Sequence, residues 1–519
     1  MKIISTHDFD EDTADPFTRS QIYNGLDVCV TQDVFDAIYP QLDEYTSATY
    51  EFSKALQGPV LEMRVRGVLI DSARRMAVID ELFNCAEVFE RKLYRIVLDG
   101  VGLTTFNYRS PPDLQRLFYH ELGIRPIIRA GRPTVDRGAR EKIEKYPIAT
   151  QIIKHINALA DLEDKISVLR TSIDPDGRIR TSYNIAGTST GRFSSSLSEF
   201  GTGGNLQNVE ESLRSIFIAD PGFKFCKLDA KSGESYCVGA IEWNRFGDPT
   251  YLNAVETGDV HTAVARIVWP ALGWTGDLRH DKSLAEQPYY RRHSYRFMCK
   301  KLGHGSNYNG QAPGLSEQSH VPVDIVSAFQ SKYFSAFPAH RRWQADVDDR
   351  LRGSGYLISL TGRKRWFFGR RSDPSTLREA IAYDPQCSLA DIVNAAMLKL
   401  WREGVCPIVM QDHDALTFMY REEDEDRIIP YLLSALVVPI PLANNRVLRI
   451  PYDAEVGWNK GHFCCGEKTN GICNKSGKEC DRQVNLDGLD SWKGHDSRKR
   501  QPIIGLLDAI VTKKFAKAG

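Results

Sequence analysis

The stretch YRRHSYRFMCKKLGHGSNYNG (290–310) decides how this chain is read. Two residues upstream, Pro288 predicts a helix start, because its fixed φ suits the first helical turn. Tyr295, Met298 and Leu302 then share one apolar stripe. Arg296, Lys300, His304 and Tyr308 recur every fourth residue on the opposite side. Each step of four rises roughly 6 Å, so the file spans about 18 Å. Two cations followed by two rings suit an extended anion with a ring system attached, such as a nucleoside triphosphate. A solvated basic face on a packed helix shows the same pattern, and the stretch alone leaves both readings open.

On either side of it in the chain lie two candidate carboxylate positions. In FKFCKLDAKSGESYCVGAIEW (223–243) an alternating strand ends at Asp229, and Glu234 follows in a turn into a helix. In CPIVMQDHDALTFMY (406–420) an apolar strand runs into Gln411, Asp412, His413 and Asp414, and a second strand leaves from Ala415. This is a hairpin with an acidic tip. Carboxylates at adjacent strand ends can hold a pair of Mg²⁺ ions for in-line nucleotidyl transfer, whereas a lone acidic turn is usually just solvated.

Further out, the chain is mostly helical before residue 180. LEMRVRGVLID (61–71) predicts a helix end, a turn at Gly67 and a short strand. Ser110, Pro111 and Pro112 mark the start of another helix. Residues 177–196 and 201–217 are loops rich in Gly, Ser, Thr and Asn, suited to groove edges and phosphates or simply to a surface. Near the N-terminus, Tyr23 and Asp27 lie one helical turn apart. Behind residue 460, Cys464, Cys465, Cys473 and Cys480 bunch together. They suit structural Zn²⁺, or are free thiols on a tail; their spacing matches no standard finger.

With 519 residues, two to four domains or subdomains are expected. Lys+Arg and Asp+Glu are equal at 67 each, so net charge says nothing about nucleic acid and only local clusters do. Basic residues cluster at 291–301, 363–371 and 498–517. No signal peptide or long apolar run is present, so a cytoplasmic protein with no membrane partner is expected.

In this order, the pieces resemble family A DNA polymerases, the group of bacterial DNA polymerase I and many phage replicases. The resemblance covers roughly residues 50–460. Asp229 with Glu234 matches the first catalytic motif; Arg296, Lys300 and Tyr308 match the second, with His304 in place of its aromatic. His413 and Asp414 match the third. Thr190, Gly191 and Arg192, then Asn205 to Asn208, Asp259 to His261, Gly362 to Arg365, and Pro385 with Gln386 are supporting matches. The family implies an α+β, right-hand fold with an antiparallel-sheet palm. Residues 1–45 would be the remnant of an exonuclease domain and 46–185 a helical thumb. The palm would comprise 186–245 and 376–462, the fingers 246–375, and a Cys-containing basic extension 463–519.

The resemblance also implies template-directed addition of deoxynucleotides to a primer 3′ end, in phage replication or repair within a bacterium or infected host. Two Mg²⁺ ions would be held by Asp229, Asp414 and the carbonyl of Ala230. Arg296, Lys300 and His261 would clamp the triphosphate, with Lys300 as general acid. Glu234 would close the pocket under the sugar, beside His304 and Tyr308. Arg192, Asn205, Gln207, Arg363, Gln386 and His413 would contact primer–template DNA. The expected partners are that DNA, deoxynucleoside triphosphates, and a separate exonuclease or processivity subunit, because Asp27 alone builds no proofreading site. Ala415 departs from the family by removing the third motif's glutamate. Asp412 either restores that charge or is a solvated turn residue. A single-subunit RNA polymerase is opposed by Glu234, and a catalytically dead relative by Asp229, Lys300 and Asp414.

Overall fold

The computed structural model describes residues 15–291, 293–469, 472–473 and 484–498. The chain forms two compact units. One draws on Gly58–Gly233, Ile392–Pro441 and Val447–Gly519, the other on Met1–Gln57, Glu234–Asp391 and Leu442–Arg446. Helices and antiparallel sheets mix as the expected α+β class requires.

The first unit is built on a five-stranded antiparallel sheet. Its strands are β1 (Phe223–Ala230), β2 (Ile408–Asp412), β3 (Ala415–Arg421), β4 (Tyr452–Gly457) and β5 (Asp490–Ser491), in the order β2-β3-β1-β4-β5. Alternation sorts the side chains. Cys226, Leu228, Leu416, Phe418, Ala454 and Val456 are buried on one face. Lys227, Asp229, Asp453 and Glu455 share the other, because directly opposed residues of antiparallel strands point the same way.

Around the sheet, short-range rules hold. Helix Gln57–Arg66 ends at Gly67, whose φ of 61° feeds the strand Val68–Ile70. A Cβ there would stand 2.8 Å from the Ile179 carbonyl, so glycine is required. Asp71 caps helix Ser72–Val101 through the Arg74 amide at 2.9 Å. That helix packs on Pro147–Leu169, where Ile152, Ile156 and Leu159 bury against Phe89, Leu93 and Val97. Each such side chain contributes roughly 1.5–3 kcal/mol. Part of the C-terminal extension joins this unit. Arg498 donates to the carbonyls of Val456 and Gly488 at 2.7 and 2.8 Å, and Asp496 pairs with buried Lys224 at 2.9 Å. β5 adds a strand beyond β4, and a Cβ on Gly457 would stand 2.5 Å from the Gly488 carbonyl.

In the second unit the stretch 290–310 forms its helix later than Pro288 implies. Pro288–Tyr290 is instead a strand paired with His293–Ser294, with Arg291 at φ 50° in the turn. The helix starts at Tyr295, where the Ser294 hydroxyl accepts from the Phe297 amide at 3.1 Å. A serine cap is worth about 1 kcal/mol, and the aromatic pair after Pro288 favours a strand. Cys299–Gly303 is a π-turn before the α-helical His304–Asn307. Residues four apart in an α-helix drift roughly 40° per step. The wider π-turn winds less per residue and opposes that drift, keeping the polar file nearer one line. Met298 and Leu302 are fully buried and Tyr295 partly so, as the apolar stripe requires.

Below this helix lies a buried polar network. Asn307 is held by the hydroxyls of Tyr333 at 2.7 Å and Tyr251 at 3.2 Å. Gln344 donates to the carbonyls of Ser306 and Asn307 at 2.9 and 3.0 Å. His340 joins Tyr333 to Glu242, and burial raises the Glu242 carboxyl while His340 opposes it.

One buried carboxyl lies outside any network. Glu81, in helix Ser72–Val101, is 7% exposed, and its Oε2 has no hydrogen-bond partner among the described residues. Burial pushes its pKa up to about 7. The folded state therefore holds its proton more tightly than the unfolded chain does. The stabilising contribution is complete below the unfolded value and is lost as pH rises through 7. Glu81→Gln is expected to raise Tm at pH 8 by roughly 2–4 °C, the effect of about 1 kcal/mol in a domain of this size. At pH 5 it should leave Tm nearly unchanged. Thermal melts of both proteins at the two pH values check this; equal shifts at both would remove the charge from the explanation.

Candidate active site

Two sets of functional side chains are built, one in each unit. In the sheet unit the register makes a row. Asp412 is opposite Ala415, Ala415 opposite Asp229, and Asp229 opposite Asp453. The turn His413–Asp414 joins β2 to β3, as the acidic hairpin expected. The Ala230 amide donates to the Asp414 carbonyl at 3.2 Å, which pins the turn to the end of β1. Asp229 and Asp414 thus stand at neighbouring strand ends. Burial raises the Asp229 carboxyl above its ordinary value; Lys227 opposes this, and the charge of Asp414 adds to it. Lys227 Nζ sits 3.3 Å from Asp229 and 3.4 Å from Glu455.

Asp412 is neither solvated nor turned to solution. It is buried, and Lys460 Nζ donates to its Oδ2 at 2.5 Å. Burial pulls the Lys460 ammonium down and Asp412 opposes the shift. The hairpin is braced from below by Gln207, which donates to the Gln411 side chain at 2.9 Å; Gln411 in turn donates to the His413 carbonyl at 2.8 Å. His413 is exposed at φ 58°, a left-handed conformation that costs a non-glycine residue about 1–3 kcal/mol.

In the helical unit, Arg296 lies against Asp259, with Nε and Nη2 each 3.2 Å from its carboxylate. Lys300 is exposed, and His304 is half-exposed. The Tyr308 hydroxyl donates to Glu234 Oε2 at 2.6 Å, and His304 Nε2 is 3.9 Å from the same oxygen. The two rings meet edge-on at 5.0 Å. Burial, and then the charge of Glu234, push the Tyr308 phenol far up, so it remains a donor. Burial, and then the charge of Arg296, hold His261 down to about 4, so it is neutral at physiological pH.

The groups expected at DNA are placed differently from one another. Gln207 is buried under the hairpin, and Arg363 is committed to Asp391 at 2.7 Å. Asn205 is exposed, and its side chain caps the Asn208 amide at 3.2 Å and accepts from Ser195 at 2.6 Å. Arg192 and Gln386 are half-buried. Tyr23 and Asp27 are both exposed on helix Pro16–Ile38. Of the four thiols, Cys464 is buried and Cys465 half-buried. Cys480 and the side chain of Cys473 lie outside the described residues, and so does nearly all of the basic group at 498–517. Among the described residues, Glu425, Asp426 and His495 form a group of metal-ligand type, but Glu425 is already paired with Lys224 at 2.6 Å. Sequence reasoning missed Lys227, Glu455 and Lys460, and it had Asp259 only as part of a motif match, not as the partner of Arg296. Strand alternation marks Lys227 and Glu455; nothing local marks Lys460.

The family model of DNA polymerase family A matches residues 79–461. The thermostable DNA polymerase I of Thermus caldophilus is 26% identical over 429 residues, covering 79% of this chain and 47% of the relative. DNA polymerase I of Rhizobium leguminosarum is 26% identical over 485 residues, covering 86% and 44%. The chain spans about half the length of the curated relatives it matches. Among solved structures, the POL domain of Pol1 from M. smegmatis, in complex with DNA primer-template and dNTP, has the same fold. Its TM-score is 0.66 at 22% identity, covering 83% of this chain and 74% of that one.

The buried pair beneath the hairpin makes a stability prediction. Lys460→Met leaves Asp412 buried and unpaired, and is expected to cost about 3–5 kcal/mol. Replacing both, as Asp412→Leu with Lys460→Met, should recover most of that loss. Urea unfolding of the three proteins measures it; an equal loss in the single and double variants would mean that packing of the lysine stem, not its charge, is what matters.

Proposed function

The chain belongs to DNA polymerase family A, and we propose that it adds deoxynucleotides to a primer 3′ end under the direction of a template strand, releasing pyrophosphate. One observation carries this reading: the register that sets Asp229 at the end of β1 beside the Asp414 turn. Its substrates would be primer–template DNA and deoxynucleoside triphosphates, the ligands named for the solved relative.

The donors at the strand ends are all oxygens, two carboxylates and the Ala230 carbonyl, the set that Mg²⁺ prefers. Bound there, two Mg²⁺ ions would make the primer hydroxyl a stronger nucleophile and offset charge on the pyrophosphate. Asp229 would hold them from the end of β1 and Asp414 from the turn between β2 and β3. Arg296, oriented by Asp259, and exposed Lys300 present donors to the triphosphate, and Lys300 would protonate the leaving group. His261 enters as a neutral ring, so it supplies a hydrogen bond to phosphate rather than charge. Glu234, fixed by the Tyr308 hydroxyl, would lie under the sugar and exclude a 2′-hydroxyl. His304 supplies a flat ring beside it.

Asp229→Ala and Asp414→Ala are each expected to abolish primer extension while primer–template binding, followed by fluorescence anisotropy, persists. Extension close to normal in Asp414→Ala would remove that residue from the metal set. Glu234→Ala should raise ribonucleotide incorporation relative to deoxynucleotide by roughly tenfold or more, the effect of about 1.4 kcal/mol. Tyr308→Phe removes only the bond that orients Glu234 and should give a smaller change in the same direction. Single-nucleotide insertion kinetics with both sugars measure the ratio; an unchanged ratio in Glu234→Ala places the gate elsewhere.

A further inference from the structure

The row across the sheet has a gap and a carboxylate beyond it. Ala415 and Asp453 flank Asp229 on its two sides, each directly opposite it. Ala415 is where the family resemblance expects a glutamate, and its methyl group offers no ligand. Opposed residues on antiparallel strands have Cβ atoms about 4.5–5.5 Å apart and side chains on one face. Asp453 therefore faces Asp229 from the opposite flank, within about 1 Å of the spacing that a residue at 415 has.

The other carboxylates of this face are already engaged. Asp412, at the far end of the row, is buried on Lys460. Glu455 lies opposite Lys227 rather than Asp229, two residues further along β4; it shares that lysine with Asp229, at 3.4 and 3.3 Å, and His462 Nδ1 stands 3.9 Å from its other oxygen. Asp453 is exposed, and among the described residues no hydrogen bond or ion pair engages its carboxylate. Its neighbours on β4, Tyr452 and Ala454, are buried on the other face, which fixes its direction by strand alternation.

We propose that Asp453 supplies the third carboxylate of the metal-binding set, in place of the one that Ala415 lacks. The inference rests on the reading of Asp229 and Asp414 as holders of a divalent ion. Moving the third ligand from β3 to β4 keeps the donor count and the all-oxygen chemistry, because β1 has two neighbours and either can face Asp229. Asp453 approaches from the side away from the hairpin, so the turn can carry Ala415 without losing charge at the site.

The test is Mn²⁺ binding to the full-length protein without DNA or nucleotide, read by the loss of the free-ion electron paramagnetic resonance signal and repeated by calorimetry with Mg²⁺. Asp453→Asn is expected to weaken Mn²⁺ binding roughly tenfold or more, a loss in the range that ligand-supporting groups give. Adding Ala415→Glu to Asp453→Asn should restore affinity, which a merely structural role for Asp453 would not allow. Thermal melts should be unchanged, since the side chain is exposed and unpaired. Wild-type affinity in Asp453→Asn, with Asp229→Asn weakened, would overturn the assignment of Asp453 and leave the metal site standing. Unchanged affinity in Asp229→Asn, Asp414→Asn and Asp453→Asn alike would overturn both.

Discussion

The pairing of β1 with β3 over seven positions, Ala415 opposite Asp229 through Arg421 opposite Phe223, determines which side chains in this chain can act together. A slip of one residue would send Asp229 to the face of Cys226 and Leu416, and Leu228 to the face of Lys227 and Glu455. Register is held from both sides. The apolar face, with Cys226, Leu228, Leu416 and Phe418 buried, rejects an unpaired charge; Lys224 is buried there only with Glu425 and Asp496 beside it. The hairpin end is clamped by the Ala230 amide on Asp414 and by the Gln207–Gln411–His413 chain of hydrogen bonds. Strain at His413 is supported by this bracing.

A different device holds the polar file of the helical unit. No strand register operates there; the helix from Tyr295 to Asn307 rests on buried amides and rings. Gln344 and Tyr333 satisfy groups at the end of the helix that would otherwise be buried unpaired. Tyr308 follows at once and turns its hydroxyl to Glu234, on the adjoining helix Gly233–Phe246. The position of Glu234 is thus set by a network whose members lie at 251, 307, 333 and 344 in sequence.

Much of this was legible because it is local. Strand alternation and a turn located Asp229 and Asp414, and fourfold spacing located Arg296, Lys300, His304 and Tyr308. Gly67 and Ser110 marked their elements by backbone and capping rules. What failed was also local, in competition: Pro288 and Ser294 both start helices, and the serine won because residues 288–290 pair as a strand. The remaining gaps are long-range. Asp412 looked like a turn residue because Lys460, its partner, is 48 positions away. The bracing role of Gln207 had no local sign because Gln411 is 204 positions away. Arg363 is spent on Asp391 by the same kind of distant pairing. A polar residue in a loop-like stretch has no signature of the partner that will bury it.

These distant pairings also shape the charge at the strand ends. Two lysines stand among the carboxylates of this side of the sheet. Lys460 takes Asp412 behind the hairpin; Lys227 is shared between Asp229 and Glu455 one row back. A buried charge without a partner costs several kcal/mol, so Asp412 could not be present there without Lys460. The consequence is selective. Asp412 is neutralised where it stands, and Asp229 and Glu455 share one lysine, while among the described residues no lysine meets Asp414 or Asp453. Asp229 carries the tension of this arrangement: burial and Asp414 disfavour its charge and Lys227 favours it. On the proposed reading, a divalent ion held by Asp229 and Asp414 would offset the repulsion between them, which is a physical reason for such a pair to bind metal.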